Sequence, residues 1–524
     1  MSTDTKPAPG RREWAGLALL CLPTFLVSMD FSVLYLAVPR LTADLAPSGI
    51  QQLWIVDIYG FVIAGFLVTM GTLGDRIGRK RLLLAGAAVF GVASVVAAFS
   101  VSPEMLITSR ALLGVAGAAV LPSVMALIMG MFTRLKDRGR ALAIWTACFM
   151  TGSTLGPLVG GVLLEFFWWG SVLLVSVPGI VLLLVFGPAL LSEQRSPQAG
   201  KLDPLSVVLS LAAILPFAYG IKSLARDGWT WFPAVSLMFG VAIGMAFVQR
   251  QRRLEHPLLD LRLFGNRIFR STVIMFFISA LVGAGSLLIV TLYLQNVIGR
   301  TPLAAGLLLL VPQTLMIIAS LTAPRVADRI RPAYLIAGGM VVASLGYLTF
   351  TLTDATSGAT TIFIAMCVVM LGTAPLAALA NHLAMGAVPP DKAGSGASIV
   401  QTATEFAIGL GIATIATIGT AVYRYTVEGA LGGLPPAAAN AAAESIDRAV
   451  DAATQLPAQQ RDDLLSASRE AFTSGLHVVG VICAVLCAGL CVLVLTAFRH
   501  AKNAHGGVED RIGEPDRAEV VGGR

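Results

Sequence analysis

Charged side chains are scarce in this chain of 524 residues, because Asp, Glu, Lys and Arg together make up only 13% of it. Hydrophobic residues make up 56%, and the mean hydropathy is +0.79. No soluble core needs so much apolar surface, so the composition excludes an ordinary soluble domain and indicates a polytopic membrane protein.

Cysteines are also few, and all six lie in apolar segments, where they imply no disulfide framework. Cys483, Cys487 and Cys491 share a helix face, but steps of about 6 Å along the helix separate the thiols too far for one metal ion. The three cysteines are therefore interpreted as small packing residues, and no metal site is expected.

Motifs of nucleotide binding and hydrolysis are missing as well. No G-x-x-x-x-G-K-[ST] loop occurs, so ATP is not the evident motor, and neither G-x-S-x-G nor H-E-x-x-H occurs. We therefore expect no enzymatic activity and no cofactor.

Fourteen apolar segments are each long enough to cross a hydrocarbon core of about 30 Å, which takes roughly 20 helical residues. They predict an all-α polytopic fold of two six-helix bundles with two additional central helices. The segments are approximately residues 14–38, 53–73, 82–101, 105–131, 141–164, 172–191, 204–224, 230–248, 271–297, 302–323, 333–352, 360–386, 395–422 and 475–498.

The connections divide the chain further. We expect cytoplasmic tails at both ends and a long outer loop, in which an Ala-rich run suggests an exposed helix that either caps the outer mouth or is a passive linker. The expected divisions are a tail 1–13, an N-terminal bundle 14–191, a linker with two helices 192–270, a C-terminal bundle 271–498 containing the outer loop 423–474, and a tail 499–524.

The net charge of +7 has a topological explanation rather than a nucleic-acid partner. Most Lys and Arg residues, including Lys6, Arg11 and Arg12, lie in the tails and alternate loops. Basic residues collect on the cytoplasmic side of membrane proteins, so both termini are expected in the cytoplasm, with the chain in a bacterial inner membrane. We expect the protein to lie in the lipid bilayer as a monomer.

Two basic turns lie at equivalent places in the two halves. The first combines glycines, an acid and bases between apolar runs, which predicts a tight turn at the membrane surface. A weaker copy in the second half indicates two related halves, the arrangement of many secondary transporters. The residues concerned are Gly71, Gly74, Asp75, Arg76, Gly78 and Arg79 in the first turn, and Asp328 and Arg329 in the second.

The fifth segment contains several residues that are poor for isolated helices. Glycines at close spacing allow tight helix contact and Pro157 bends the helix, so this segment is predicted to act as a rocking surface. The alternative is a packing face without movement. The residues are Gly152, Gly156, Pro157, Gly160 and Gly161.

With these two motifs the chain resembles the major facilitator superfamily. Residues 71–80 match its G-x-L-a-D-r-x-G-r-k signature, and residues 152–161 match the g-x-x-x-G-P-x-x-G-G signature of its drug:proton antiporters. The fourteen segments, Leu53 to Tyr59 and Pro257 to Phe264 are similar to the fourteen-span multidrug branch. The resemblance implies two bundles that rock around a central cavity, with Asp75 as a latch between the cytoplasmic ends of the two halves.

Four ionisable residues lie well inside the apolar segments: Asp30, Asp57, Arg110 and Glu405. Each would cost about 3 kcal/mol or more in hydrocarbon, so each should face a cavity or a partner. Burial disfavours the charged form of a carboxylic acid, so such an acid can exchange a proton with an organic cation. We predict that these four residues couple protons to transport, the acids also binding substrate; a buried Asp57–Arg110 pair that orders two helices is the alternative.

The resemblance supports these roles residue by residue. Arg110 occupies the arginine of the l-x-x-x-R-x-x-q-G signature, which the family associates with proton relay, although Leu113 replaces the usual Gln. Asp30 and Glu405 match carboxylate positions of the multidrug branch. Aromatic side chains would supply the rest of a site for lipophilic cations, with ordinary packing as the alternative; the candidates are Trp54, Tyr59, Trp145 and Phe149.

The resulting prediction is proton-coupled export of amphipathic, often cationic drugs, dyes or antiseptics by alternating access. An exporter dedicated to one endogenous metabolite or antibiotic is the nearest alternative. An uptake symporter would leave the antiporter motif of the fifth segment unexplained, and a membrane sensor would not need buried carboxylates that titrate.

Overall fold

A computed structural model describes residues 9–132, 134–194, 203–227, 230–254, 261–327, 329–355, 358–386, 388, 393–429, 431 and 435–498. Throughout these ranges the chain forms helices and short connections, without strands. The helices are α1 Arg11–Leu45, α2 Gly49–Ile77, α3 Arg79–Ala98, α4 Pro103–Met131, α5 Leu135–Phe166, α6 Ser171–Leu174, α7 Ser176–Leu190, α8 Pro204–Asp227, α9 Trp231–Arg253, α10 Arg267–Leu292, α11 Pro302–Ala327, α12 Pro332–Leu348, α13 Gly358–Gly386, α14 Ala393–Gly411, α15 Thr417–Glu428, α16 Pro436–Glu444, α17 Ile446–Ala453 and α18 Ala458–Ala497.

All fourteen apolar segments expected from the sequence lie on helices. Twelve helices within the described ranges are long and apolar enough to cross a membrane, and the pair Trp54–Leu67 and Thr69–Ile77, bent by 53°, would be a thirteenth span. Leu205–Ile221 is a shorter apolar helix. The all-helical, multi-pass fold is thereby confirmed, while the tail residues 1–8 and 499–524 lie outside the described ranges.

Helix starts follow local capping chemistry. Ser48 accepts a hydrogen bond from the amide of Gln51, whose side chain in turn accepts one from the Ser48 amide. Ser102, which precedes Pro103, caps α4 by accepting a hydrogen bond from the Met105 amide at its hydroxyl oxygen. These side chains satisfy amides that have no partner inside the helix, at helix ends that are partly buried.

The N-terminal half, α1 to α7, packs around a continuous apolar core that includes Leu20, Leu83, Phe90, Leu113 and Leu164. The C-terminal half, α10 to α18, has a core of its own that includes Met275, Ile336 and Leu490. The helices run alternately between two ends of the molecule. We call the end that carries the start of α1 and the end of α18 the terminal side, and the end that carries α16 and α17 the cap side.

The two halves share a core at the cap side. Tyr35, Val38 and Val56 of the N-terminal half belong to the same buried cluster as Leu288 and Val297 of the C-terminal half. The cap-side ends of α1 and α2 are therefore held against α10 by burial of apolar surface, which is favourable for packed protein interiors.

The two additional helices lie beside the seam between the halves. Ala218 of α8 is buried in a cluster with Phe61 of α2 and Ala413 of the segment that follows α14. Helix α9 packs on α8, where Gly240 approaches the backbone of Phe217 so closely that a Cβ would lie 2.7 Å from its nitrogen. Only 11% of the most apolar stretch of α9 is buried within the protein, so this helix exposes most of its surface to its surroundings.

The Ala-rich part of the outer loop forms two helices, α16 and α17, which we call the cap. The sequence suggests one exposed helix here, whereas the structure has two short helices, each with one buried face and some exposed residues. Ala438, Ala442 and Ala449 are buried together with Leu464 of α18, because small alanine side chains let the cap lie close to α18.

Candidate functional site

The candidate site begins with a buried ion pair between two helices of the N-terminal half. Nη1 of Arg110 on α4 donates to Oδ2 of Asp30 on α1 at 2.6 Å. The two side chains are only 2% and 6% exposed. A buried guanidinium needs such a partner, since an unpaired charge in a dry interior is strongly unfavourable.

Two further contacts fix the Arg110 side chain. Its Nε donates to the carbonyl oxygen of Ile55 at 3.3 Å, and its guanidinium carbon lies 4.5 Å from the centre of the buried Tyr59 ring. Tyr59 therefore stacks against Arg110 as a cation–π partner. In this conformation its ring positions the base, whereas the sequence predicts that it contacts substrate.

Asp57 lies beside this pair at the seam between the halves. Asp57 and Arg110 line a small cavity together with Tyr35 of α1 and with Ile408 and Gly409 of α14. The cavity measures about 10 Å³, which is room for about one water molecule at most. The predicted central site is therefore closed around these side chains in this conformation.

Glu405 on α14 is the third buried acid, with 1% of its surface exposed. Its Oε1 accepts a hydrogen bond from Nε2 of Gln401, one turn earlier, at 2.8 Å. Oε2 has no hydrogen-bond partner within the described part of the chain. The side chain thus has a neutral amide as its described partner, in contrast to Asp30, which has a guanidinium.

The predicted aromatic residues separate into two groups. Trp54 packs against the cluster of Phe61, Ala218 and Ala413, where its ring centre lies 6.3 Å from that of Phe61. Trp145 on α5 donates from Nε1 to Thr24 at 3.0 Å, and its ring lies 6.5 Å from that of Phe149. Tyr59 belongs to the apolar core of the N-terminal half and Trp145 packs against that core, and binding of substrate by these four residues remains a prediction.

The glycines of α5 make close contacts on two faces. Gly152 and Gly160 face α1, where a Cβ on Gly160 would lie 2.5 Å from the side chain of Val33. Gly161 faces the other half, with a Cβ position only 2.6 Å from the Cα of Leu303 on α11. The buried Gly156 lies on the same helix.

Pro157 of the same helix also touches α11, because a Cβ on Gly306 would collide with the Pro157 carbonyl group. The antiporter-like motif thus forms a glycine-mediated contact between the two halves at the cap side. Such a contact allows close backbone approach, which suits a packing face as well as a rocking surface, so the rocking role remains a prediction.

The basic turn at 71–80 is held in place by contacts within the turn and with Gln194, which follows α7. Asp75 forms an ion pair with Arg79, from Oδ1 to Nη2 at 2.7 Å, and Gly78 adopts a φ of 113°, which favours glycine. The Arg79 amide donates to the carbonyl of Gln194 at 3.0 Å. Gly74 contacts the Arg79 side chain closely, whereas Gly71 has open space beside it.

The latch role of Asp75 and the role of Arg76 remain predictions. In the second turn, Asp328 lies outside the described residues. The Arg329 amide donates to the carbonyl of Val326 at 3.0 Å, and its side chain is exposed.

The cap joins both halves through hydrogen bonds of Asp447 on α17. Oδ2 accepts from Nε2 of Gln52 on α2 at 3.1 Å, and Oδ1 accepts from Nδ2 of Asn296, just after α10, at 2.6 Å. Arg448 donates to the carbonyls of Ala46 and Pro47, both at 2.9 Å. The cap is therefore fastened to the connection between α1 and α2 as well as to the C-terminal half.

Comparison with known proteins decides the family. The model of the Major Facilitator Superfamily matches residues 20–412, which is well over half of the chain. The chain belongs to the Major Facilitator Superfamily.

Two superfamily relatives are similar over nearly the whole chain. The multidrug efflux pump LfrA of Mycolicibacterium smegmatis is 42% identical over 93% of this chain and 97% of its own length. The methyl viologen resistance protein SmvA of Salmonella typhimurium is 34% identical over 88% of this chain and 93% of its own. The resemblance to the multidrug branch drawn from the two motifs is confirmed by these relatives.

A solved structure supports the fold. The bacterial homologue of the human lysosomal transporter Spinster superposes with a TM-score of 0.65, covering 94% of this chain and 99% of its own, at 16% identity. Membership of a Major Facilitator Superfamily fold and the apolar helices together identify this chain as a multi-pass membrane protein of a transporter family.

Sequence reasoning missed the polar contacts of the cap. Asp447 is only 4% exposed, although its surroundings in the sequence suggest solvent. Gln52 and Asn296 carry no charge and belong to no motif, so nothing marks them as its partners. The one available signal was the position of Ile446 and Ala449 on one face of α17, which are buried with it.

Proposed function

We propose that this chain is a proton-coupled multidrug efflux transporter that exports amphipathic, often cationic compounds by alternating access. It would act as a monomer in the bacterial inner membrane, with both termini cytoplasmic and without a cofactor. The cap side would then face outward. Membership of the superfamily and similarity to LfrA and SmvA support export, and proton coupling is our inference from the buried charges.

Proton coupling is proposed because the buried acids of the central site outnumber the buried bases. Asp30, Asp57 and Glu405 are each at most 5% exposed, and Arg110 is the one base buried with them in the described helices. Three carboxylates cannot all remain ionised beside one guanidinium in a dry interior without a large free-energy cost. Binding of protons or of a cationic substrate lowers that cost.

The contacts suggest a division of roles between the acids. Asp30 is held by Arg110, so in this conformation its charge is already compensated. Glu405 has only the Gln401 amide as its described hydrogen-bond donor, so its carboxylate is our choice for the proton-binding group. An organic cation that enters the central cavity would displace that proton.

The proton gradient would drive this exchange. A one-for-one exchange of a proton for a monovalent cation moves no net charge, so the membrane potential contributes only when more protons enter than cations leave. Each additional proton that enters down a potential of 100 mV supplies about 2.3 kcal/mol, which corresponds to roughly a fifty-fold concentration ratio. With the cap side facing outward, the contacts of α5 with α11 would close the outer side in this conformation. Opening would require the Pro157–Gly306 contact to separate.

Ethidium efflux from preloaded cells tests the proposal. Wild type, Asp30→Asn and Glu405→Gln would be compared at matched membrane levels, with and without a protonophore. Glu165→Gln is the matched control, because Glu165 is an exposed acid near the end of α5. We expect efflux by the wild type and the control, loss of efflux in both variants, and loss in every strain when the protonophore is present.

The other outcomes discriminate between the alternatives. Efflux that continues with the protonophore would refute proton coupling. A correctly inserted wild type that moves no ethidium, methyl viologen or other cationic dye would point instead to an exporter dedicated to one endogenous compound.

A further inference from the structure

A second and larger cavity lies on the cap side, and Val56 lines both this cavity and the small cavity beside Asp57. It has a volume of about 350 Å³, within the range of about 300–1,000 Å³ that is typical of small-molecule pockets. Its walls come from both halves, and the cap forms its outer boundary. We call it the cap chamber.

The walls of the cap chamber are largely apolar. Val38 and Val56 come from the N-terminal half, and Leu288, Leu292 and Phe472 come from the C-terminal half. A cavity that both halves line lies on the path between them. Because the two halves must separate for substrate to leave, a molecule bound here would be adjacent to the exit.

The charged residues that line the cap chamber are Arg424, Glu444 and Asp447, so the lining has a net charge of −1 when all three are ionised. Glu444 forms an ion pair with Arg448, and Arg424 forms one with Glu428 through a 3.0 Å contact. Asp447 has hydrogen bonds from the amides of Gln52 and Asn296, and within the described part of the chain no Lys or Arg forms an ion pair with it.

We propose that the cap chamber binds an organic monocation, with the Asp447 carboxylate as its counter-ion and the apolar walls as its hydrophobic contact. The inference rests on the proposed function and places a second cargo site on the exit path. A metal ion fits poorly, because metal sites in proteins need several oxygen, nitrogen or sulfur ligands around one point. A bulky cation with delocalised charge matches one carboxylate and apolar walls.

The environment of Asp447 also suggests how the cation leaves. Burial raises the pKa of the Asp447 carboxyl, which the hydrogen bonds from Asn296 and Gln52 partly oppose. An acidic outer medium would therefore protonate Asp447 more readily than an ordinary aspartate and would release the cation. The titratable and charged groups around it are Tyr423 and Arg424 on α15, Glu444 on α16, and Arg448 and Asp451 on α17.

Equilibrium binding of tetraphenylphosphonium to the purified full-length chain at pH 8 tests the proposal. The measurement is made in Glu405→Gln protein, so that the proposed central carboxylate is already neutral. We expect this protein to bind the cation, and expect Asp447→Asn in the same background to weaken binding at least about tenfold. Asp451→Asn is the matched control, because it removes an acid from the exposed face of the same helix.

A second variant separates charge from folding. Ala421→Phe fills the cap chamber but leaves Asp447 and its partners in place, and it should weaken binding to a similar extent. Binding by the Glu405→Gln protein should also fall as the pH is lowered. Each variant must elute as a single species in size-exclusion chromatography, which shows that a weak binder is folded.

Three results would overturn the cap chamber as a cation site. They are absence of binding to the Glu405→Gln protein, equal binding by the Asp447→Asn and Asp451→Asn variants, or binding that Ala421→Phe leaves unchanged. A pH dependence of ethidium efflux that shifts in Asp447→Asn, with cation binding unaltered, would assign a proton to Asp447 and also overturn it. Loss of binding through Asp447 in a chain that exports no dye would instead contradict the proposed function alone.

Discussion

The pair of Asp30 and Arg110 gives the sharpest prediction about stability. At the 2.6 Å separation of Oδ2 and Nη1, the attraction is about 6 kcal/mol for an effective dielectric constant near 20. Removal of both charges from water costs several kcal/mol for each ion, so the pair as a whole contributes little net stability. Loss of only one partner leaves the other charge buried.

The variants to compare are Asp30→Ala, Arg110→Ala and the double variant. Each single variant should lower the free energy of unfolding by about 3–5 kcal/mol. The Asp30→Ala cost should lie at the lower end, because Asp57 lines the same small cavity as Arg110. The double variant should lose about 2 kcal/mol less than the sum of the single variants, since neither charge is left alone.

An SDS titration of the purified protein, followed by circular dichroism, measures these free energies. Glu165→Ala is the control, because an exposed acid should change stability by no more than about 0.5 kcal/mol. Strictly additive losses from the two single variants would refute the reasoning, as would a change below about 1 kcal/mol for either one.

Three further predictions concern the cap side. Gly306→Ala adds a methyl group that collides with α5 and should cost about 1–3 kcal/mol of cap-side closure, which cysteine labelling from outside would detect; Gly338→Ala, with open space beside it, should not. Arg448→Gln removes the ion pair and the hydrogen bonds that hold the cap, so the cap should be cut faster by protease than in Arg461→Gln. Burial raises the pKa of Asp447 above its unfolded value. The protonated side chain therefore stabilises the fold at low pH, and this stability is lost as the pH rises through the folded pKa. Hydrogen exchange of α17 should speed up with rising pH more than base catalysis explains, and Asp447→Asn should remove that excess. An unchanged labelling pattern, cutting rate or exchange profile would count against the corresponding contact.

The helices could be predicted because membrane spans are decided locally. Backbone groups in hydrocarbon must be hydrogen-bonded within the segment, so an apolar run of sufficient length becomes a helix whatever its neighbours are. All fourteen segments followed this rule, including α8, whose apolar part is short. The basic turn and the glycines of the fifth segment identified the family for a similar reason, since both are short motifs read from consecutive residues.

The contacts of the candidate site could be predicted only in part. The sequence placed Asp30, Asp57 and Arg110 well inside the apolar segments, but the alternative of an Asp57–Arg110 pair missed the described contact with Asp30. Which acid meets the guanidinium depends on the rotation of α1 and α2 relative to α4. That rotation is set by packing across many residues and has no signature in any one segment.

The sequence by itself determined that this chain crosses the membrane many times, that it has two related halves and that ionisable groups lie among its apolar helices. The tertiary structure alone decided that Arg110 pairs with Asp30, that Glu405 lies beside a neutral amide and that Asp447 is buried where the cap meets both halves. The physical reason is the distance along the chain over which each effect acts. Hydrophobicity and helix formation act within a segment, whereas burial of a carboxylate depends on partners such as Gln52, which is 395 residues away in the chain.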